Sequence, residues 1–201
     1  MPSARDRLLE AAAQVFAEEG FEHATLDQVA VRAGFAQSSI YNHFGGKPEL
    51  LLEVVRSTLQ ALQAIRGAPE ARLGSPRLLH SFIARLLDPD NATLRALTVG
   101  VHVAARYDPV VRSLLDDHHR ESVLLIREMI AQWQLDGSVP AGVEPDRAAQ
   151  MFLTLALGLC NVETLDLQVP GDEEWLAVVH GQVDALLGRA TGAAGWSSGP
   201  E

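Results

Sequence analysis

Apolar residues in this chain recur at spacings of three and four, and that period constrains the fold more than any other feature. Leu8, Ala12, Val15 and Phe16 share one helical face, and Gly20 follows where a glycine ends a helix. No stretch bounded by turns alternates apolar and polar residues convincingly, as a half-buried strand would. Glycine, proline and aspartate divide the rest into helical segments at residues 47–66, 76–87, 91–106, 109–135, 145–165 and 172–187. With three short N-terminal helices, these predict an all-α protein of about nine helices in two parts. Residues 191–201, rich in Gly, Ser and Ala, read as a flexible tail.

Composition narrows the function classes. The chain of 201 residues is 47% hydrophobic, which is enough to build a core. It carries 16 basic residues against 26 acidic ones, a net charge of -10, and on charge alone nucleic acid is an unexpected partner. Cys160 is the only cysteine, so neither an internal disulfide nor a multi-cysteine zinc site is available. No apolar run reaches the roughly 18 residues of a membrane span. Asp6 and Glu10 interrupt the N-terminal apolar residues, unlike a signal peptide. The expectation is a soluble, cytoplasmic protein without a cofactor.

The N-terminal region carries the strongest pattern. Thr25, Leu26, Asp27 and Gln28 fit a capping box, in which Thr and Gln side chains satisfy each other's backbone N–H groups. Leu26, Val29, Ala30 and Ala33 give the following short helix an apolar face, and Gly34 supplies a left-handed turn. A second short helix spans about residues 36–44, with Ile40 and Phe44 pointing inward. Its other positions are Gln37, Ser38, Ser39, Tyr41, Asn42 and His43, almost all hydrogen-bonding side chains. Two short helices across a tight turn, the second with a polar outer face, make a helix-turn-helix. Gln and Asn pair bidentately with adenine, and Ser donates or accepts at either base edge. Ser and Tyr hydroxyls, with Lys47, suit phosphate oxygens. The alternative is a solvated polar helix face.

Residues 33–50, Ala-Gly-Phe-Ala-Gln-Ser-Ser-Ile-Tyr-Asn-His-Phe-Gly-Gly-Lys-Pro-Glu-Leu, resemble the signature of the tetracycline-repressor (TetR) family. There an Ala-Gly turn leads to a recognition helix ending in Tyr-x-His-Phe, followed after two residues by a Lys. The likeness covers about residues 5–55; beyond them only the architecture matches. The resemblance implies that Thr25 binds a phosphate. It also implies that Gln37, Ser38 and Asn42 face base edges. Ser39, Tyr41, His43 and Lys47 would hold the DNA backbone or shape the helix surface. Two positions depart from the pattern. Ala36 stands where a capping Ser or Thr is common, and Gly46 replaces a common Ser before the Lys. Residues 1–50 hold four basic residues (Arg5, Arg7, Arg32, Lys47) and seven acidic ones (Asp6, Glu10, Glu18, Glu19, Glu22, Asp27, Glu49). Affinity for DNA would therefore rest on a few placed donors and on helix N-termini, with a shallow salt dependence.

The remaining chain carries no phosphate loop and no Gly-x-Ser-x-Gly nucleophile motif. The run Asp116-Asp117-His118-His119 reads as a solvated charged stretch rather than a metal site, because neighbouring residues on a helix point about 100° apart. His102, Arg106, Tyr107, Trp133 and Phe152 are candidate ligand-pocket residues; a polar face for the first three and plain core for Trp133 and Phe152 are the alternatives. Residues 148–162 include no charge at all. Phe152, Leu155, Leu159 and Val162 recur there at helical spacing, and Gly158 would admit a close neighbour. Trp175, Val179, Val183 and Leu186 provide a second apolar helix. A homodimer through these two helices is expected, as the resemblance also implies; an internal core is the alternative.

The expected organisation is a DNA-binding unit at residues 1–46, an effector-binding and dimerisation unit at 47–190, and the tail. The resemblance implies a regulator, most often a repressor, that a small molecule releases from double-stranded operator DNA. An all-α enzyme and an effector-independent DNA-binding activator are the competing readings.

Overall fold

The computed structural model describes residues 3–66, 75–162 and 173–189. Among them are nine α-helices: α1 (Ala4–His23), α2 (Leu26–Ala33), α3 (Gln37–Phe44), α4 (Lys47–Arg66), α5 (Arg77–Leu86), α6 (Ala92–Ala104), α7 (Pro109–Leu135), α8 (Pro145–Leu159) and α9 (Glu173–Leu186). One 3₁₀ turn, Pro89–Asn91, precedes α6, and no strand occurs among the described residues. No helix among them is long and apolar enough to cross a membrane. The expected ends of the helices shift by a few residues. The 145–165 segment leaves the helix at Leu159, with a turn through Val162. Residues 163–165 and the 191–201 tail lie outside the described residues.

Local chemistry explains the helix boundaries. Ser3 and Asp6 form a reciprocal capping box at α1. Gly20 breaks the helical dihedrals at φ 77° and ψ 158°, and a last turn runs on to His23. Asp108 accepts from the backbone N–H groups of Val110 and Val111, and Glu144 from those of Asp146 and Arg147. In both cases a proline occupies the first helical position, where its missing N–H costs nothing. Arg95, buried between α5 and α6, donates to the carbonyls of Leu86 and Asp88. It thereby satisfies carbonyls that the end of α5 leaves open.

Two hydrophobic cores form. The head core gathers Leu8, Ala12, Phe16, Val29, Ile40 and Phe44 from α1–α3. The body core gathers residues of α4–α9, among them Phe82, Ile126, Trp133, Phe152 and Val183. Two helices serve both. On α4, Leu50 and Val54 enter the head core while Val55 and Leu59 enter the body core. On α6, Leu97 packs into the head and Val101 into the body. Phe21, near the end of α1, touches both cores. Gly100 of α6 lies directly beneath its ring: a Cβ there would come within 2.9 Å of Phe21 Cε2. Only glycine lets the two helices approach this closely.

At the other end of the body, α9 is tied to α5 through side chains. The His80 and His180 rings stack at 4.4 Å, and His180 Nε2 donates to the His80 carbonyl at 3.2 Å. Asp184 lies 3.3 Å from His80 Nε2 and accepts from Arg189 at 2.8 Å. Burial holds the His80 imidazole below the usual histidine pKa, against the opposing pull of the Asp184 carboxylate.

The contact at Gly100 generates the first prediction. Gly100→Ala gains about 1 kcal/mol of helix propensity but overpacks Phe21 at a cost of about 1–3 kcal/mol. Urea unfolding is expected to show a net loss of stability, and Phe21→Leu in the same chain is expected to recover part of it.

Candidate functional site

The two helices of the turn are built as their residues require. Thr25 Oγ1 accepts from Gln28 N at 3.2 Å, and Thr25 N donates to Gln28 Oε1 at 2.7 Å, closing the capping box. Gly34 takes the left-handed conformation, φ 72° and ψ 36°. Arg7 crosses beneath this turn, donating to the Ala33 carbonyl at 2.9 Å with its guanidinium 4.8 Å from the Phe35 ring centre. Ile40 and Phe44 of α3 are buried. Gln37, Ser38, Tyr41, Asn42 and His43 are exposed and Ser39 is half-buried, with Tyr41 54% accessible. Five of the polar residues therefore stand on the outside of a helix whose inner face is anchored. Ala36 makes no side-chain cap to α3, so the first N–H groups of that helix face outward without a side-chain partner of their own helix start. Gly46 is buried, and a side chain there would crowd the Glu49 carboxylate at 3.1 Å, which accounts for the second departure.

The head cations are held by their own chain. Arg5 pairs with Glu53 and lies over the Phe44 ring. Arg32 pairs with Glu18 at 2.6 Å. Lys47 Nζ donates to the Glu22 carbonyl at 3.0 Å, which leaves two of its three N–H donors for another acceptor. The Thr25 hydroxyl also has a partner, Gln28 Oε1, 2.9 Å away. A phosphate at Thr25 would compete with that bond.

The second feature is internal. A small chamber of about 40 Å³ sits among α4–α8, with Thr58, Thr98, His102, His118, His119 and Ser122 in an otherwise apolar lining. His102 Nδ1 lies 2.7 Å from the Thr98 carbonyl, and His102 Nε2 lies 3.2 Å from His119 Nε2. The carbonyl only accepts, so Nδ1 of His102 carries the proton. One of the two facing Nε2 atoms then donates to the other.

The family model described as bacterial regulatory proteins, tetR family, matches residues 8–54, the whole of α2 and α3 with their supports. Residues 8–54 thus match a tetR-family helix-turn-helix segment. The HTH-type transcriptional regulator SrpR of Pseudomonas putida is 37% identical over 84 residues, 42% of this chain and 38% of that protein. The chain thus spans well under half of that relative. The HTH-type transcriptional repressor AcnR of Corynebacterium glutamicum is 28% identical over 182 residues, 90% of this chain and 93% of its own. The structure of Salmonella enterica GusR superposes with a TM-score of 0.76 at 19% identity, over 92% of this chain and 95% of that one. That likeness shows a shared fold.

Several expected positions of the body move. His102 and Phe152 line the chamber, but Arg106 stands at an outer opening beside it. Tyr107 is 74% exposed and Trp133 is sealed in the core, so neither lines the chamber. The 116–119 run is not a solvated stretch. Asp116 and Asp117 face water, whereas His118 is buried and both histidines line the chamber. The half-turn between them, which argued against a shared metal, is what sends the two pairs to opposite sides. No group of three metal-ligating residues occurs among the described residues. Sequence reasoning missed His118, His119, Thr58, Thr98 and Ser122, all of them spaced on the inward stripes of their helices.

The proposed interface residues also divide. Phe152, Leu159, Val162, Val179 and Val183 are buried within one chain and cannot meet a partner's surface. Leu155, Trp175 and Leu186 remain half-buried. The outward apolar residues are Met151, 55% exposed, and Val178, 61% exposed. Met151, Thr154 and Leu186 line a surface groove between α8 and α9. Gly158 is also on the outside, where an added Cβ would meet nothing within 4 Å among the described residues. The helix is apolar all round, as expected, but its period alone did not say which side the chain itself covers.

Proposed function

We propose that the chain is a sequence-specific DNA-binding transcriptional regulator. It acts as a homodimer and, in its main mode, as a repressor that a small molecule releases from its operator. The observation that carries this reading is the outer face of α3. Gln37, Ser38 and Asn42 stand exposed there above the buried Ile40 and Phe44, where amide and hydroxyl groups pair with base edges in a major groove. Ser39, Tyr41, His43, Lys47 and Thr25 flank them for the phosphate backbone. The relative AcnR, a repressor by name, supports the sign of regulation.

The body supports the release. Filling so small a chamber parts the helices around it. α6 carries Thr98 and His102 in the chamber wall and Leu97 and Gly100 against the head. α4 carries Thr58 in the wall and Leu50 and Val54 in the head core. A ligand that favours one setting of these helices favours one setting of the reading heads, and it shifts the population by its difference in affinity between the two. The dimer forms through the outward faces of α8 and α9, around Met151, Leu155, Val178 and Leu186, and spaces the two α3 helices one or more turns of DNA apart.

Selection of bound duplexes from a random pool, followed by gel shift, tests the reading. One enriched site should emerge, and Gln37→Ala should alter its base preference by about 1–3 kcal/mol. Tyr41→Phe and Lys47→Ala should weaken binding with the dimer intact. The salt slope should match about 3–4 phosphates per subunit, near 0.9 log units each, because most head cations are already engaged. No enriched site would favour the all-α enzyme; a site that no small molecule releases would favour the effector-independent activator. The interface has its own check. Val178→Arg should give monomers in sedimentation while the helical content stays unchanged, and a dimer that survives places the interface elsewhere.

A further inference from the structure

The chamber and the opening beside it share walls, and together they offer a path with a graded chemistry. The outer opening, about 290 Å³, shares Thr98, His102, Leu157 and Cys160 with the chamber and adds Arg106. Beyond the chamber, Phe82, Ile126 and Phe152 are also walls of a further apolar space of about 20 Å³, reaching Leu78 and Met129. The Phe82 and Phe152 rings, 5.8 Å apart, stand between the two spaces. The lining thus grades from a guanidinium, past an imidazole pair, to hydrocarbon.

Charge distinguishes this path from the rest of the molecule. The chain has 26 acidic residues, yet among the described residues no Asp or Glu lines the opening, the chamber or the inner space. Among those described residues Arg106 is the one guanidinium along them. It makes no ion pair among the described residues, whereas Arg5, Arg32, Arg120 and Arg189 each hold a carboxylate. The two imidazoles, linked to each other and to the Thr98 carbonyl, form a polar border. An amine entering here would meet a like charge and no acceptor carboxylate. A dianionic phosphate would find one cation. A neutral ligand would leave Arg106 unused.

We propose that this path binds an apolar monocarboxylate. The carboxylate meets the Arg106 guanidinium at the mouth, whose planar fork matches two carboxylate oxygens. The hydrocarbon passes the His102–His119 pair and lies against Leu157, Phe82 and Phe152. The inference deepens the ligand-responsive reading above and rests on it for its biological meaning. The residues and charges of the path do not depend on it.

Octanoate, 1-octanol and octylamine share a tail and differ in the head group, and titration calorimetry of the purified full chain without DNA separates them. Octanoate is expected to bind about tenfold or more tightly than octanol, and octylamine more weakly than either. Arg106→Gln should bring octanoate down to the level of octanol and leave octanol unchanged. Leu157→Trp, at the shared throat, should weaken both. Equal binding of the three probes, no binding of octanoate, or indifference to Arg106→Gln would overturn the proposal, and indifference to Leu157→Trp would place the probe elsewhere and overturn it too. Gel shift on the selected operator is read separately. Octanoate that binds with the charge preference but leaves the operator complex intact supports the site and contradicts ligand-controlled release.

Discussion

The close approach of α6 to the end of α1, where Gly100 meets the Phe21 ring, is the constraint on which the rest of the structure depends. It places one short helix in two cores at once. Leu97 belongs to the head, Val101 to the body, and His102, one position on, to the chamber wall. α4 makes a second link of the same kind through Leu50, Val54, Thr58 and Leu59. Close-packed interiors transmit displacement instead of absorbing it. A change in the chamber therefore has a direct physical route to α3, through helices that are shared rather than through a linker.

The charge of the chain acquires a specific meaning in the head. A net charge of -10 is a poor start for a DNA-binding protein. Arg5 and Arg32 are paired with acids and Arg7 holds the end of α2, so these side chains build the head instead of coating it with positive charge. What remains for DNA is a set of neutral hydrogen-bonding groups on α3, the free N–H groups at its start, and the two unused donors of the only lysine. On the function proposed above, such a surface would read a site by direct contact and have little hold on arbitrary DNA. In the body it is the place of Arg106, beside a chamber with no carboxylate among its described lining residues, that is informative.

Much of this was legible in the sequence where the determinants are local. The capping box at Thr25 and Gln28, the glycine at 34 and the inward pair Ile40 and Phe44 lie within twenty residues of one another, and each carries its own geometric signature. The proline and aspartate boundaries of α7 were readable for the same reason. The chamber was not, because it depends on pairs far apart in the chain: His102 with His119, and Phe82 with Phe152. The acidic neighbours of His118 and His119 made that run look solvated, although a helix sends adjacent residues to different sides. The split of the expected interface residues between buried and outward positions was not legible for a related reason. A helix apolar on every side, such as α8, offers no pattern to separate the face its own chain buries, Phe152 and Leu159, from the face left outside, Met151 and Gly158.

If α6 couples the chamber to the head, the coupling is reciprocal, and DNA must alter the chamber as surely as a chamber ligand alters DNA binding. The imidazole resonances of His102 and His119, recorded by NMR with and without a selected operator duplex, read this without knowledge of the natural effector. Both should shift with the operator and not with a duplex of unrelated sequence, and Phe21→Leu should reduce the shift. Resonances that stay in place when the operator is bound would contradict the coupling.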